Sequence, residues 1–183
     1  MKINNDDKGK FTAPGEVRLV RLLPGPIERV WEYLTDPEKR SRWFAGGPME
    51  LRAGGKLQLH MRHADLVPQE TPPEEYKQMH YEGKKFDGQV LACESPRLLR
   101  YTWGPDGKFD VTFELKPEGS QVLLVVTHRN SGDSVDDIPS FASGWHTHFA
   151  LLAATLNGET PPPFWSTHQR LEAEYEKIYK ARS

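Results

Sequence analysis

The side chains with the most chemical potential in this chain are seven histidines and a single cysteine. His146 and His148 stand two residues apart in a stretch that reads as helix, so they point in substantially different directions, unlike a metal-binding pair at four-residue spacing. His60 and His63 read as opposite faces of one strand. A long-range assembly of His63, His128 and His148 would hold a metal only if all three converged at metal-specific distances, and neither a metal nor a cofactor is expected. Cys93 has no local motif to supply an activating base and reads as a small buried side chain. Glu74 and Glu75, and the run Asp133, Asp136 and Asp137, read as solvated loop faces. Gly46-Gly47 and Gly54-Gly55 lack the spacing and the terminal lysine of a phosphate-binding loop. Arg18, Arg21 and Arg42 offer a local anion contact or, more simply, face solvent. No catalytic residue is assigned.

Whatever these groups do, the stretch Phe141 to Leu156 has to position them. At 100° per residue, Phe141, Trp145, Phe149, Leu152 and Leu156 form one broad apolar face, the pattern of a helix laid against a core. His148 falls near the centre of that face with Gly144 beside it, so the helix lines either a solid core or a ligand cavity. The elements before it are mostly strands. Val17 to Leu23 reads as a strand, followed after Pro24, Gly25 and Pro26 by a short helix with the stripe Ile27, Val30, Trp31 and Leu34. Thr35 or Asp36 caps a second short helix that ends near Trp43 and Phe44. Leu57, Leu59, Met61 and His63 alternate with polar residues. Phe86 to Cys93, Leu98 to Trp103, Phe109 to Leu115 and Gln121 to His128 continue the strand pattern, with turns at Ser95-Pro96, Gly104 to Gly107 and Pro117 to Gly119. Close turn spacing favours an antiparallel meander over βαβ units. Ser140 is a plausible cap for the long helix, and Gly158 with Pro161 to Pro163 ends it.

The bulk numbers fit one domain: 183 residues, 37% hydrophobic content and a formal charge of -2. That balance gives no pull toward phosphate backbones, and no basic-aromatic stripe points to nucleic acid. No apolar run reaches the length of a membrane span, the polar start has no signal-like segment, and a cytoplasmic location is expected. Residues 1–14 read as a flexible N-terminal segment and 15–158 as the domain. A polar insertion near 65–83, rich in proline and charge, reads as a long loop or lid. In the extension 159–183, Trp165, Leu171, Tyr175, Ile178 and Tyr179 make the apolar side of a further helix, which either docks on the outside of the domain or serves a homodimer contact.

Val30-Trp31, Leu34 to Pro37, Arg42-Trp43-Phe44, Gly54-Gly55, Gly88-Gln89-Val90, Pro96 to Leu99, Tyr101-Thr102-Trp103, the Phe109-to-Leu115 strand, Thr127-His128 and Gly144-Trp145 occur in an order that resembles the activator-of-Hsp90-ATPase homologue family. That family belongs to the START-like, or Bet v 1-like (SRPBCC), superfamily, and the resemblance runs from about Val17 to Leu156. It implies an α+β helix-grip fold: a curved antiparallel sheet wrapped around a long C-terminal helix, with two short helices after the first strand. Superfamily members commonly enclose hydrophobic ligands, and some related folds carry cyclase or hydrolase chemistry.

The expected function is therefore binding of a hydrophobic small molecule or lipid in an internal cavity. Its candidate lining is Trp43, Phe44, Leu59, Met61, Phe86, Tyr101, Phe113, Trp145, His148, Phe149 and Leu152, with His148 or Tyr101 orienting the ligand. A filled core made of the same residues is the plainer reading, and for His148 a structural role is the plainer one. A protein-interaction or chaperone-associated module is the first alternative. An enzyme is the second, favoured only if His148 meets acidic, tyrosyl or cysteine groups in reaction geometry.

Overall fold

The computed structural model describes residues 2–182; Met1 and Ser183, at the ends of the two terminal segments, lie outside the described residues. Seven strands form one antiparallel sheet: β1 (Lys10–Ala13), β2 (Glu16–Pro24), β3 (Lys56–Met61), β4 (Lys84–Glu94), β5 (Leu98–Trp103), β6 (Phe109–Glu118) and β7 (Gln121–Asn130), in the spatial order β1-β2-β7-β6-β5-β4-β3. Alternation sets which face is buried. Val17, Leu19 and Leu23 of β2, Val111, Phe113 and Leu115 of β6, and Val122, Leu124 and Val126 of β7 all point into the core. Two short helices follow β2, α1 (Ile27–Thr35) and α2 (Pro37–Arg40), and the Asp36 carboxylate caps the second by accepting from the Lys39 N–H at 2.9 Å.

The sheet curves around the long helix α5, which runs from Ile138 to Asn157 and is the helix of the helix-grip fold. It stops at Gly158, whose φ of 67° is the left-handed conformation that glycine adopts without penalty. Ser140 does not cap it, because the helix begins two residues earlier and Ser140 lies inside the first turn. A final helix, α6 (Phe164–Lys180), packs along α5 and buries Phe164, Trp165, His168, Leu171 and Tyr175. The terminal extension thus docks on its own domain. As a result α5 is covered on two sides. Trp145, Phe149 and Leu152 are buried in the sheet-facing core, while Ser143 Oγ donates to the His168 carbonyl and His146 shares a 2.9 Å hydrogen bond with the Tyr175 hydroxyl on the α6 side.

Three further differences from the sequence reading have simple causes. Within residues 1–14, Lys10–Ala13 form the edge strand β1, and Asn5 exchanges side-chain hydrogen bonds with the backbone of Leu22 at 2.7 and 2.8 Å. Arg21 does not face solvent. It is buried on the inward face of β2, where its guanidinium donates to the carbonyls of Asp7 and Val20. His63 is not on a strand but opens the short helix α3 (His63–Leu66), since β3 ends at Met61. With a 3-10 turn at Glu74–Tyr76 and α4 (Lys77–Tyr81), α3 makes the polar insertion a folded lid over the start of α6.

Candidate functional site

Between the N-terminal half of α5, one end of the sheet and the lid lies a cavity of about 380 Å³. Each wall has a distinct source. Helix α5 contributes Ser140, Phe141, Gly144, Trp145 and His148; the sheet contributes Met61, Lys84, Phe86, Trp103 and Phe109; α6 contributes Phe164 and His168; the lid contributes His63 and Tyr76; and Phe44 enters from the loop after α2. The walls are built largely of aromatic rings in edge-to-face and tilted contact. Phe109 and Phe141 lie 4.6 Å apart, Phe44 and Trp145 4.8 Å, and Phe44 meets the His148 ring edge-on at 5.2 Å. Gly144 is the gap in this lining, because a Cβ built there would meet nothing within 4 Å. Lys84 and Pro105 are exposed and mark the rim, with the Lys84 ammonium 5.2 Å from the centre of the Phe86 ring.

Polar atoms in the walls are held by specific partners. The Trp145 indole N–H donates to Nδ1 of His128 at 3.0 Å; Nε2 of His128 then donates to Asn130 Oδ1 at 2.8 Å, and the Asn130 amide donates to the Ser134 carbonyl at 3.0 Å. His128 therefore uses both nitrogens as a neutral ring, and burial depresses its pKa to about 4. His148 donates through Nδ1 to the Trp43 carbonyl at 2.7 Å; burial lowers its pKa to about 4 against the opposing pull of that carbonyl. His63, buried 5.6 Å from His148 between ring centroids, is held down to about 3, chiefly by burial. These imidazoles are uncharged at neutral pH. Among the described residues, no group of three or more His, Cys, Asp or Glu side chains is placed to hold a metal ion.

The lid is anchored by three side chains in four hydrogen bonds. Glu70 accepts the backbone N–H groups of Phe164 at 2.6 Å and Trp165 at 2.9 Å, which are free at the N-terminus of α6. The Trp165 indole donates to Nδ1 of His80 at 3.0 Å, and the Tyr76 hydroxyl donates to Glu172 at 3.1 Å.

The candidate residues divide between the two ends of the core. Phe44, Met61, Phe86, Trp145 and His148 line the cavity. Trp43, Leu59, Tyr101, Phe113, Phe149 and Leu152 do not: they fill the other end, where Trp43 stacks on Phe149 at 5.7 Å and Tyr101 packs against Phe113 at 5.8 Å. Buried Arg40 helps to close that end by donating to the carbonyls of Ala45, Thr35 and Gly47. Residues absent from the sequence-based set include Phe109, Phe141, Gly144, Trp103, Phe164 and His168. Phe141 and Gly144 stood on the same helical stripe as Trp145 and His148, so periodicity could have found them. Phe164 and His168 carried no such signal, because only the return of α6 along α5 brings them there.

A profile of the Activator of Hsp90 ATPase homolog 1-like protein family matches residues 24–157. The chain belongs to that family. A member-like solution structure, of a protein from Bordetella parapertussis, is 42% identical over 92% of this chain and 88% of its own, with a TM-score of 0.76. CalU16 from Micromonospora echinospora is 24% identical in its crystal form, covering 91% of this chain and 86% of its own at a TM-score of 0.64, and shares the fold. So does a conserved protein of unknown function from Enterococcus faecalis, 17% identical over 92% of this chain and 86% of its own, with a TM-score of 0.68. A search of curated proteins matches none to this chain. The family match ends at residue 157, so α6 and its two cavity residues lie beyond it. Among the described residues no helix is long and apolar enough to cross a membrane.

Proposed function

We propose that this member of the family reversibly binds an apolar small molecule in the cavity beneath its lid. The observation that carries the reading is the aromatic-walled free volume of about 380 Å³ at the N-terminal half of α5, kept open by Gly144. Such a space suits a ligand of a few fused rings, and expulsion of water from apolar walls supplies the attraction. Entry is at the Lys84 and Pro105 rim, and the lid segment from His63 to Tyr81 governs exchange. His63, His128 and His148 are held neutral by burial, and among the described residues none of the three hydrogen-bonds an Asp, Glu, Tyr or Cys side chain, which supports binding over turnover.

Titration with the neutral fluorophore N-phenyl-1-naphthylamine tests this reading. The natural chain is expected to show a saturable, one-site rise in fluorescence. Gly144→Phe places a ring in the open space and is expected to weaken binding by about tenfold or more, with the circular dichroism spectrum and thermal melt retained. Saturable binding unaffected by Gly144→Phe, or no saturable binding by the natural chain, would contradict it.

A further inference from the structure

Three histidines line the cavity, and at two of them, His148 and His168, a fixed partner of Nδ1 places the proton. Nδ1 of His148 lies 2.7 Å from the Trp43 carbonyl oxygen; a carbonyl only accepts, so Nδ1 carries the proton and Nε2 is a bare lone pair. At His168, Ser143 Oγ lies 2.8 Å from the carbonyl oxygen of His168 and 2.9 Å from its Nδ1. The hydroxyl has one proton and the carbonyl must receive it, so Nδ1 of His168 donates to Oγ, which makes Nε2 the acceptor nitrogen of the neutral tautomer. Among the described residues no protein group hydrogen-bonds either Nε2, and neither nitrogen is sealed from free volume, while both rings line the cavity. By contrast, Nδ1 of His63 and the indole nitrogen of Trp103 have no accessible surface, and no fixed partner places the proton of the His63 ring. The Tyr76 hydroxyl is committed to Glu172, the half-buried Ser140 hydroxyl can donate or accept, and the cationic donor, Lys84, stands out at the rim.

The α5 and α6 walls of the cavity thus present two imidazole acceptors, one hydroxyl and aromatic rings. We propose that the ligand is an aromatic hydroxyl compound, a phenol or aryl alcohol, which enters hydroxyl first and donates a hydrogen bond to Nε2 of His148 or His168. This rests on reading the cavity as a ligand site. An apolar ligand without a donor leaves the two lone pairs desolvated and unpaired, which costs free energy. A carboxylate sets negative charge against them, in a space where burial keeps the His148 ring from taking up a compensating proton. A phenol satisfies the acceptor and stacks its ring on the walls.

Isothermal titration calorimetry near neutral pH with 2-naphthol, 2-methoxynaphthalene and 2-naphthoate tests the assignment, because the three share one ring system. The expected order is naphthol tightest, by roughly tenfold over the methyl ether, and naphthoate weakest. His148→Phe and His168→Phe should each narrow the ratio of naphthol to ether affinity. If a variant does not fold, the order in the natural chain decides alone. Equal binding of naphthol and its ether, or tighter binding of naphthoate, overturns the donor requirement while leaving the cavity as a ligand site. Failure of all three to bind overturns the cavity reading itself.

Discussion

Nδ1 of His148 donates to the carbonyl of Trp43, 105 residues earlier in the chain, at 2.7 Å. This bond ties the middle of α5 to the loop that follows α2 and fixes the ring at the boundary between the filled end of the core and the open one. It also satisfies a buried carbonyl that has no place in a strand ladder.

Stability should fall in mild acid. His148 and His128 have pKa values lowered by burial to about 4, and His63 and His146 to about 3, from an ordinary 6.5. Above pH 6.5 these rings are neutral whether the chain is folded or unfolded. As pH drops below that value the unfolded chain takes up protons that the folded chain refuses, so stability is lost progressively down to about pH 4 and beyond for the lower pair. Urea melts across this window are expected to show it. His148→Phe should flatten the slope while lowering stability at neutral pH by about 1–3 kcal/mol, since the Trp43 carbonyl loses its donor. An unchanged slope would contradict the assignment.

Gly144 is in the interior of α5 with ordinary helical backbone, and a Cβ there meets nothing within 4 Å. Gly144→Ala should therefore stabilise the protein by about 0.5–1 kcal/mol through the unfolded state and helix propensity. Chemical denaturation reads this directly; a destabilised variant would mean that the space is not open.

The fold was legible because strand alternation, the turns between strands and the stripe Phe141, Trp145, Phe149, Leu152 and Leu156 all agreed. The site was legible only in part. Periodicity tells which face of β3 or α5 points inward, and Leu59 and Met61, or Phe149 and Trp145, do share an inward face. It does not tell where along that face packing is loose. Leu59 and Phe149 fell at the end closed by Trp43 and Arg40, Met61 and Trp145 at the open end. The second buried side of α5 was hidden as well, since Ser143 and His146 look polar until His168 and Tyr175 arrive on α6.

The two ends should answer differently to truncation. Phe149 is 1% exposed and stacked on Trp43 and Trp145, so Phe149→Ala should cost about 3–5 kcal/mol. Phe141 borders free volume already and is only half-buried, so Phe141→Ala should cost clearly less while enlarging the cavity. Paired denaturation curves check the contrast; equal losses would contradict a loose end.

Glu70 should act as the latch of the lid. Glu70→Ala removes the acceptor for the Phe164 and Trp165 N–H groups and is expected to cost about 1–2 kcal/mol. Amide hydrogen exchange should speed up in residues 67–81 more than in the sheet. Exchange that rises evenly over the chain would point to global destabilisation without a lid.

The most direct test of a ligand site beneath the lid is to follow the indole N–H signals of the five tryptophans by NMR during titration with N-phenyl-1-naphthylamine. Trp103 and Trp145 line the cavity, whereas Trp31 on α1 does not. Saturable shifts of the Trp103 and Trp145 signals, with Trp31 unmoved, are the predicted result. Saturable binding that leaves Trp103 and Trp145 in place, or moves Trp31 as far, would contradict it.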